Sequence, residues 1–228
     1  MDLREVAYHE AGHAVAHILY GHPIDKITIK PDRKEGSLGH VKSVYGDIIQ
    51  NHCLDNDVQM ELARQMVRAS FAGLAAQRLF YAHADRRGAD QDYWQAAELA
   101  DGFCMGKDLL RWQRRQIVAA EALVKKHRAA VRAVAEALFK RKTLAPSLAR
   151  AIVREHVLHV PEEIDYFHMR GEFWESETVA DMLRVSPGTL ARWRREGRGP
   201  KYLKIGRYIR YHAVPAPEGS ATLYVVDG

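Results

Sequence analysis

The pentapeptide HEAGH at residues 9–13 constrains this chain more than any other feature of its sequence. Apolar residues recur around it at helical spacing and predict a helix over residues 3–20. Two histidines four residues apart lie on one face of a helix, so both imidazoles can reach one metal ion. Zinc suits two imidazoles and a carboxylate with one position open for water, and Glu10 could accept a proton from that water.

Such a site needs a third protein ligand from elsewhere in the chain, and the residues alone leave its identity open. Asp90 and Asp92 lie where a later helix is predicted to begin. Asp90 more naturally caps that helix, while Asp92 serves equally well as a ligand or as a partner of the helix dipole. The alternative for the whole motif is a helix that carries two surface histidines and binds no metal.

The residues that flank the motif resemble the start of the peptidase domain in the FtsH family of ATP-dependent zinc proteases, the M41 peptidases. The segment VAYHEAGHAV carries this likeness, which extends over roughly residues 4–157. Further similar segments are KITI at 26–29, GSLG at 36–39, FAGLAA at 71–76, GADQD at 88–92, AEAL at 135–138 and KTL at 142–144. The resemblance implies a zinc site made of His9, His13 and Asp92, with Glu10 as the general base.

Two departures from that family bear on function. The chain begins eight residues before His9 and contains no G-x-x-x-x-G-K-[ST] motif, so we expect no ATPase module and no processing of folded substrates. Gln77 stands where the family usually has a glutamate, which predicts weaker support for a metal ligand. Three further histidines, His17, His22 and His40, are expected to be structural, with a substrate contact as the alternative for His40.

Secondary-structure patterns predict an α+β fold for the first part of the chain. Helical periodicity favours helices over 3–20, 58–81, 90–104, 113–141 and 146–156. Asp2 is the expected N-cap of the first helix, and alternating residues favour strands over 24–29 and 38–44. We therefore expect residues 1–157 to form a mainly helical domain with a small sheet, of zincin type by the resemblance. Residues 158–171 are the expected linker.

The positive charge is concentrated near the C-terminus. The whole chain carries a net charge of +5, whereas the stretch from Arg184 to Tyr211 holds nine basic residues and one acidic residue, a surplus of +8. Such a concentration indicates a polyanionic partner, most simply nucleic acid. The alternative is a solvated basic face.

Residues 172–211 show the pattern of a helix–turn–helix followed by a hairpin. The predicted elements are helices over 177–183 and 187–196, capped by Ser176 and Ser186, and a hairpin made of 202–205 and 208–211. This segment resembles the MerR-like and excisionase-type winged helix–turn–helix domains. Arg184 stands where a glycine is common, which predicts a mildly strained positive φ. Residues 212–228 are the expected loosely ordered tail.

In such a domain the second helix reads base edges in the major groove and the hairpin meets phosphates. The expected DNA contacts are Thr189, Arg192, Arg195, Lys201, Lys204, Arg207 and Arg210. The expected core of the domain is Val179, Leu183, Val185, Leu190 and Trp193. The alternative is a small winged module that binds only protein.

Composition excludes several classes of protein. No apolar run approaches the ~18–20 residues that span a bilayer, and the first residues lack the apolar stretch of a secretory signal. Two cysteines are too few for a disulfide framework, so a reducing cytoplasm is expected.

The favoured hypothesis is a zinc metalloendopeptidase that needs no ATP and carries a DNA-binding module. The pairing of the two domains suggests DNA-associated proteins as substrates. The alternative is a DNA-binding transcriptional regulator whose peptidase-like domain serves as a sensor or a dimerisation unit.

Overall fold

A computed structural model describes residues 2–31, 39–43, 56–81, 90–101, 107–161, 173–205, 208–215, 221–223 and 225–226. The chain forms two compact units, one of residues 1–49 with 62–163 and the other of residues 50–61 with 164–228. Helices and a small antiparallel sheet make up the first unit, and the second contains the helix–turn–helix. The predicted α+β class is therefore confirmed.

Helices dominate the described part of the first unit. They are α1 (Leu3–Tyr20), α2 (Asn56–Phe80), α3 (Asp90–Asp101), α4 (Lys107–Lys126), α5 (Arg128–Arg141) and α6 (Pro146–His156). Residues 62–80 of α2 belong to this unit. The strands are β1 (Ile24–Thr28), β2 (His40–Ser43) and β3 (Thr143–Leu144). They form an antiparallel sheet in the order β2-β1-β3, in which Thr28 lies opposite His40 on one side and Thr143 on the other.

Helix α1 lies in the interior of the first unit. Every residue from Val6 to Ile18 is buried, so this helix has no solvent-facing side along most of its length. Small residues let other helices approach it closely: a Cβ atom on Gly12 would lie 2.3 Å from the carbonyl oxygen of Ala72 in α2.

The N-cap predicted for α1 is wrong in one respect, because Asp2 occupies the N-cap position without a side-chain capping bond. Its backbone carbonyl accepts the Val6 N–H instead.

The single long helix predicted over 113–141 is wrong. The structure has two helices, α4 and α5, separated at His127, whose φ of −106° and ψ of 27° are not helical. The two helices share one apolar cluster. Val131 of α5 and Val124 of α4 both belong to the core around α1, whereas Ala120 of α4 packs in a separate cluster. Helix α4 therefore contributes to two clusters.

The second unit contains a two-helix motif and several short strands. Its elements are β4 (Phe173–Trp174), α7 (Ser176–Met182), α8 (Pro187–Arg195), β5 (Gly199–Pro200), β6 (Tyr202–Ile205), β7 (Tyr208–Pro215), β8 (Ala221–Leu223) and β9 (Val225–Val226). Strands β6 and β7 form the predicted hairpin, and β4 pairs with the other side of β7. Val179, Ala180, Leu190 and Tyr211 are buried together, and Trp193 packs against them.

Two of the local features predicted for this unit are confirmed and two are wrong at least in part. The Ser186 side chain accepts the Thr189 N–H at 3.1 Å, and Arg184 has a φ of 54°, so both predictions are confirmed. Ser176 does not cap α7, because it is already the first helical residue and Glu175 takes the N-cap position. The loosely ordered tail is also wrong in part: β7 runs to Pro215 and pairs with β8, while β9 pairs with β5.

None of the helices in the described ranges is both long enough and apolar enough to cross a bilayer.

A buried histidine pair connects α1 to α2. The Nδ1 atoms of His17 and His22 are 3.0 Å apart, and His22 Nε2 donates to Gln65 Oε1 at 2.9 Å. With its proton on Nε2, His22 uses Nδ1 to accept the Nδ1–H of His17. Burial lowers the pKa of both imidazoles, because a cation would lose its hydration there.

We predict that the stability of the first unit falls as the pH drops below about 6.5. The folded chain keeps His17 and His22 neutral while the unfolded chain binds protons, which costs up to about 1.4 kcal/mol per pH unit for each histidine. Urea unfolding between neutral and mildly acidic pH measures the slope. His22→Gln should reduce it, whereas His156→Gln, at an exposed position, should not. An identical slope in wild type and His22→Gln would contradict the assignment.

Candidate metal centre

The structure brings His9, His13 and Asp92 together in the first unit. His9 and His13 project from α1, and Asp92 lies in the first turn of α3. The Nε2 atoms of the two imidazoles are 3.0 Å apart, and Asp92 Oδ2 lies 2.9 Å from His9 Nε2 and 3.4 Å from His13 Nε2. Three candidate ligand atoms therefore face one point.

The donor set fits zinc. Two imidazole nitrogens and one carboxylate oxygen form a common zinc ligand set, and ligand atoms about 2.0–2.1 Å from a tetrahedral ion are roughly 3.3 Å from one another. The three separations of 2.9, 3.0 and 3.4 Å are close to that spacing. Among the described residues, this is the one group of three histidine, cysteine or acidic side chains close enough to hold a metal ion.

Hydrogen bonds set the orientation of both imidazoles. His13 Nδ1 donates to the backbone carbonyl of Ala69 at 2.8 Å, which leaves its Nε2 lone pair facing the cluster. His9 Nδ1 lies 3.3 Å from Gln77 Oε1 and can donate to it in the same way. The M41 family usually has a glutamate at this position. Gln77 still offers an acceptor oxygen to His9, but that oxygen belongs to a neutral amide and not to a carboxylate. Its Nε2 is buried and has no hydrogen-bond partner among the described residues.

The charges in the cluster support one another. Burial opposes the ionisation of Asp92, but the two histidines outweigh it and lower its pKa. Burial likewise opposes the protonation of His13, and the Asp92 carboxylate outweighs it and raises the pKa of that imidazole. A positive charge is therefore favoured between these three side chains, and a metal ion competes with protons for that position.

Glu10 is placed beside the cluster as a buried carboxylate. It is 5% exposed. Burial raises its pKa, while the imidazoles of His9 and His13 and the backbone N–H of Val41 oppose this rise. A carboxylate in this position can accept a proton from a water molecule at the cluster and return it.

Two glycines that the sequence analysis quoted without a role make room for these side chains. A Cβ atom on Gly73 would lie 2.3 Å from His13 Nε2, and one on Gly39 would lie 3.1 Å from Glu10 Oε1. Distances below 3.0 Å do not occur for real Cβ atoms, so no side chain fits at Gly73 while His13 keeps its position. Both glycines lie in segments that resemble the M41 family, which was the only signal for them in the sequence.

We predict that Gly73→Ala lowers zinc affinity at least about tenfold, because the new methyl group displaces a ligand. Alanine favours a helix interior over glycine by about 1 kcal/mol, so the helix itself should remain. Competition with a chromophoric chelator measures the affinity, and circular dichroism reports the helix content. Gly188→Ala is the matched control, since the nearest atom to its Cβ is 3.6 Å away. Undiminished zinc affinity in Gly73→Ala would show that His13 moves aside without loss.

The second unit presents some of the expected DNA contacts on its surface. Arg192 and Arg195 on α8 are exposed, as are Lys201 and Lys204 around the hairpin. Thr189 is half-buried, and its hydroxyl lies 3.0 Å from Ser186 Oγ.

Two other expected contacts have different outcomes. Arg207 lies outside the described residues. Arg210 is only 7% exposed, and its guanidinium pairs with Glu175 at 3.3 Å. The side chain of Arg210 therefore faces the start of α7 and is not presented to solvent in the way that the sequence analysis expects of a phosphate contact. Arg198, which the sequence analysis does not name as a contact, is also exposed. Its guanidinium donates to Glu196 at 2.7 Å and lies 5.5 Å from the centre of the Trp193 ring.

Comparison with protein families agrees with this arrangement. Residues 2–106 match the sequence model of Peptidase family M41, a segment that contains all three candidate ligands and Glu10. Residues 176–214 match the model of a helix-turn-helix domain. The M41 match ends before α4, so it supports a shorter part of the likeness than the sequence analysis expected. No curated protein matches the chain. The chain thus matches Peptidase family M41 in its first part and a helix-turn-helix domain near its C-terminus.

Proposed function

We propose that the first unit is a zinc-dependent endopeptidase that cleaves flexible segments of protein without ATP. One observation carries this proposal: a buried cluster of His9, His13 and Asp92 with the carboxylate of Glu10 beside it. The M41 match over these residues supports the same reaction class. The chain contains no G-x-x-x-x-G-K-[ST] motif that would bind ATP phosphates.

The side chains of His9, His13 and Asp92 would hold the zinc ion. When bound, zinc would act as a Lewis acid that polarises the scissile carbonyl and a water molecule. Glu10 accepts the proton of the attacking water and later delivers it to the nitrogen of the leaving amine. The Val41 N–H helps to fix the carboxylate for both transfers.

A regulator that used this unit only as a metal sensor would have no need for Glu10. A buried carboxyl group that is not a ligand costs free energy, because it loses its hydration. Its retention next to the three candidate ligands favours catalysis over a purely structural site.

We predict that Glu10→Gln retains zinc but loses cleavage of unfolded casein by a factor on the order of 10²–10⁴, since the base is removed and the ligands are not. Peptide release measures the activity, and elemental analysis measures the zinc content. Glu121→Gln, at an exposed position on α4, is the matched control. Unchanged cleavage by Glu10→Gln would assign the activity to other residues or to a contaminant.

We further propose that the second unit binds duplex DNA with α8 in the major groove. Support comes from the exposed Arg192 and Arg195 on α8 and from the exposed Lys204 on the hairpin. The helix-turn-helix match covers the same residues. The unit would bring the peptidase to DNA-associated proteins, as the pairing of the two domains suggests.

Base-reading and phosphate-binding residues should differ when they are replaced. On a site selected from random duplexes, Arg192→Ala or Arg195→Ala should cost about 1–3 kcal/mol and relax sequence preference. Lys204→Ala should weaken binding to all duplexes alike and reduce the salt slope by about one. Fluorescence anisotropy of the full chain at several salt concentrations measures both effects, with Lys125→Ala on α4 as the control. Absence of binding even at low salt would refute the proposal in favour of a protein-binding module.

A further inference from the structure

Glu196 is the only acidic residue in the basic stretch from Arg184 to Tyr211, and the proposed DNA contacts do not include it. It directly follows α8 and occupies the C-cap position of that helix. Its side chain is exposed, like those of the arginines that we expect to contact DNA. A carboxylate at such a surface repels phosphates, so on charge alone Glu196 weakens DNA binding.

Two arginines face the Glu196 carboxylate, one at each of its oxygens. Arg192 lies one turn earlier on α8, and its Nε atom is 3.9 Å from Glu196 Oε1. Arg198 follows α8 in the chain, and its Nε donates to Glu196 Oε2 at 2.7 Å. All three side chains are exposed, so a nucleic acid could reach them.

The turn that follows α8 holds Arg198 beside Glu196. Gly197 and Gly199 have φ values of 70° and 92°, in the left-handed region that favours glycine. Between these glycines, the Arg198 N–H donates to the Trp193 carbonyl at 3.0 Å. The Arg198 guanidinium also lies 5.5 Å from the centre of the Trp193 ring. The Arg198 side chain is therefore held by an aromatic ring as well as by Glu196.

The contacts with Glu196 engage the Nε atom of each arginine, whereas most N–H donors of a guanidinium are on its Nη atoms. Arg192 can therefore present its Nη atoms to a guanine edge while its Nε stays beside Glu196. A guanidinium that is already held in place loses less conformational freedom when it meets the correct base. To follow a phosphate elsewhere, the same guanidinium has to leave the carboxylate.

We propose that Glu196 is a positioning residue that determines how well the second unit discriminates between DNA sequences. Its carboxylate holds Arg192 and Arg198 in the orientation that suits one sequence, and it competes with phosphates for both arginines on every other duplex. This inference rests on the proposed DNA-binding function and adds sequence discrimination to it.

The test compares the binding of the full chain to two duplexes by fluorescence anisotropy. One duplex is the site selected from random sequences, and the other is an unrelated duplex of the same length. The affinity for the selected site divided by that for the unrelated duplex measures discrimination. We expect Glu196→Gln to lower this ratio about fivefold, which corresponds to the roughly 1 kcal/mol that an exposed ion pair can contribute.

Two controls separate positioning from a general effect of charge. Glu177→Gln, at an exposed position on α7, removes the same charge and should change both affinities alike, which leaves the ratio unchanged. In a chain that already carries Arg192→Ala and Arg198→Ala, Glu196→Gln should also leave the ratio unchanged, because its two partners are missing. Glutamine keeps the backbone N–H of residue 196 that bonds to the end of α8, and circular dichroism checks that the fold is retained.

An unchanged or increased ratio in Glu196→Gln would overturn the inference. So would an equal fall of the ratio in the chain that lacks both arginines. Equal affinity of the wild-type chain for the two duplexes refutes the role of Glu196 but leaves DNA binding in place. A wild-type chain that binds neither duplex, even at low salt, refutes the DNA-binding proposal and this inference together.

Discussion

Burial of ionisable side chains within α1 is the constraint on which the first unit depends. A polar group removed from water costs free energy unless it is hydrogen-bonded or paired, so each of these side chains needs a partner from another element. Asp92 of α3 and the Ala69 carbonyl of α2 partner His13, Gln77 partners His9, and the Val41 N–H partners Glu10. The same contacts that make burial tolerable also aim three ligand atoms at one point.

Close packing of backbones is the second condition for the site. Gly12 brings α1 against α2, and Gly73 leaves space on α2 for the imidazole of His13. Gly39 likewise leaves space between the Thr28 carbonyl oxygen of β1 and the side chain of Glu10. Interiors packed at this density have little room to absorb a methyl group, so the absence of three side chains is as much a part of the site as the presence of its ligands.

Most elements of the fold were predictable because their patterns are local. Periodicity placed the helices of the first unit within a few residues except over 113–141, and alternation identified β1 and the hairpin of the second unit. The break at His127 was not predictable, because the residues on both sides of it have helix-forming composition and belong to the same core around α1. The pairing of the last strands was missed because strand partners can be far apart in the sequence: β8 pairs with β7, and β9 pairs with β5.

The sequence by itself determined the motif at residues 9–13, since a spacing of four puts both imidazoles on one face of any helix. It also determined the cap at Ser186, which depends on residues within one turn. Only the tertiary structure decided that Asp92 reaches His9, a residue 83 positions away, and that Gly73 faces His13. It also decided that Arg210 is buried against Glu175 while other arginines stay exposed. Local spacing specifies which side chains share a face, but the packing of distant elements determines what that face meets.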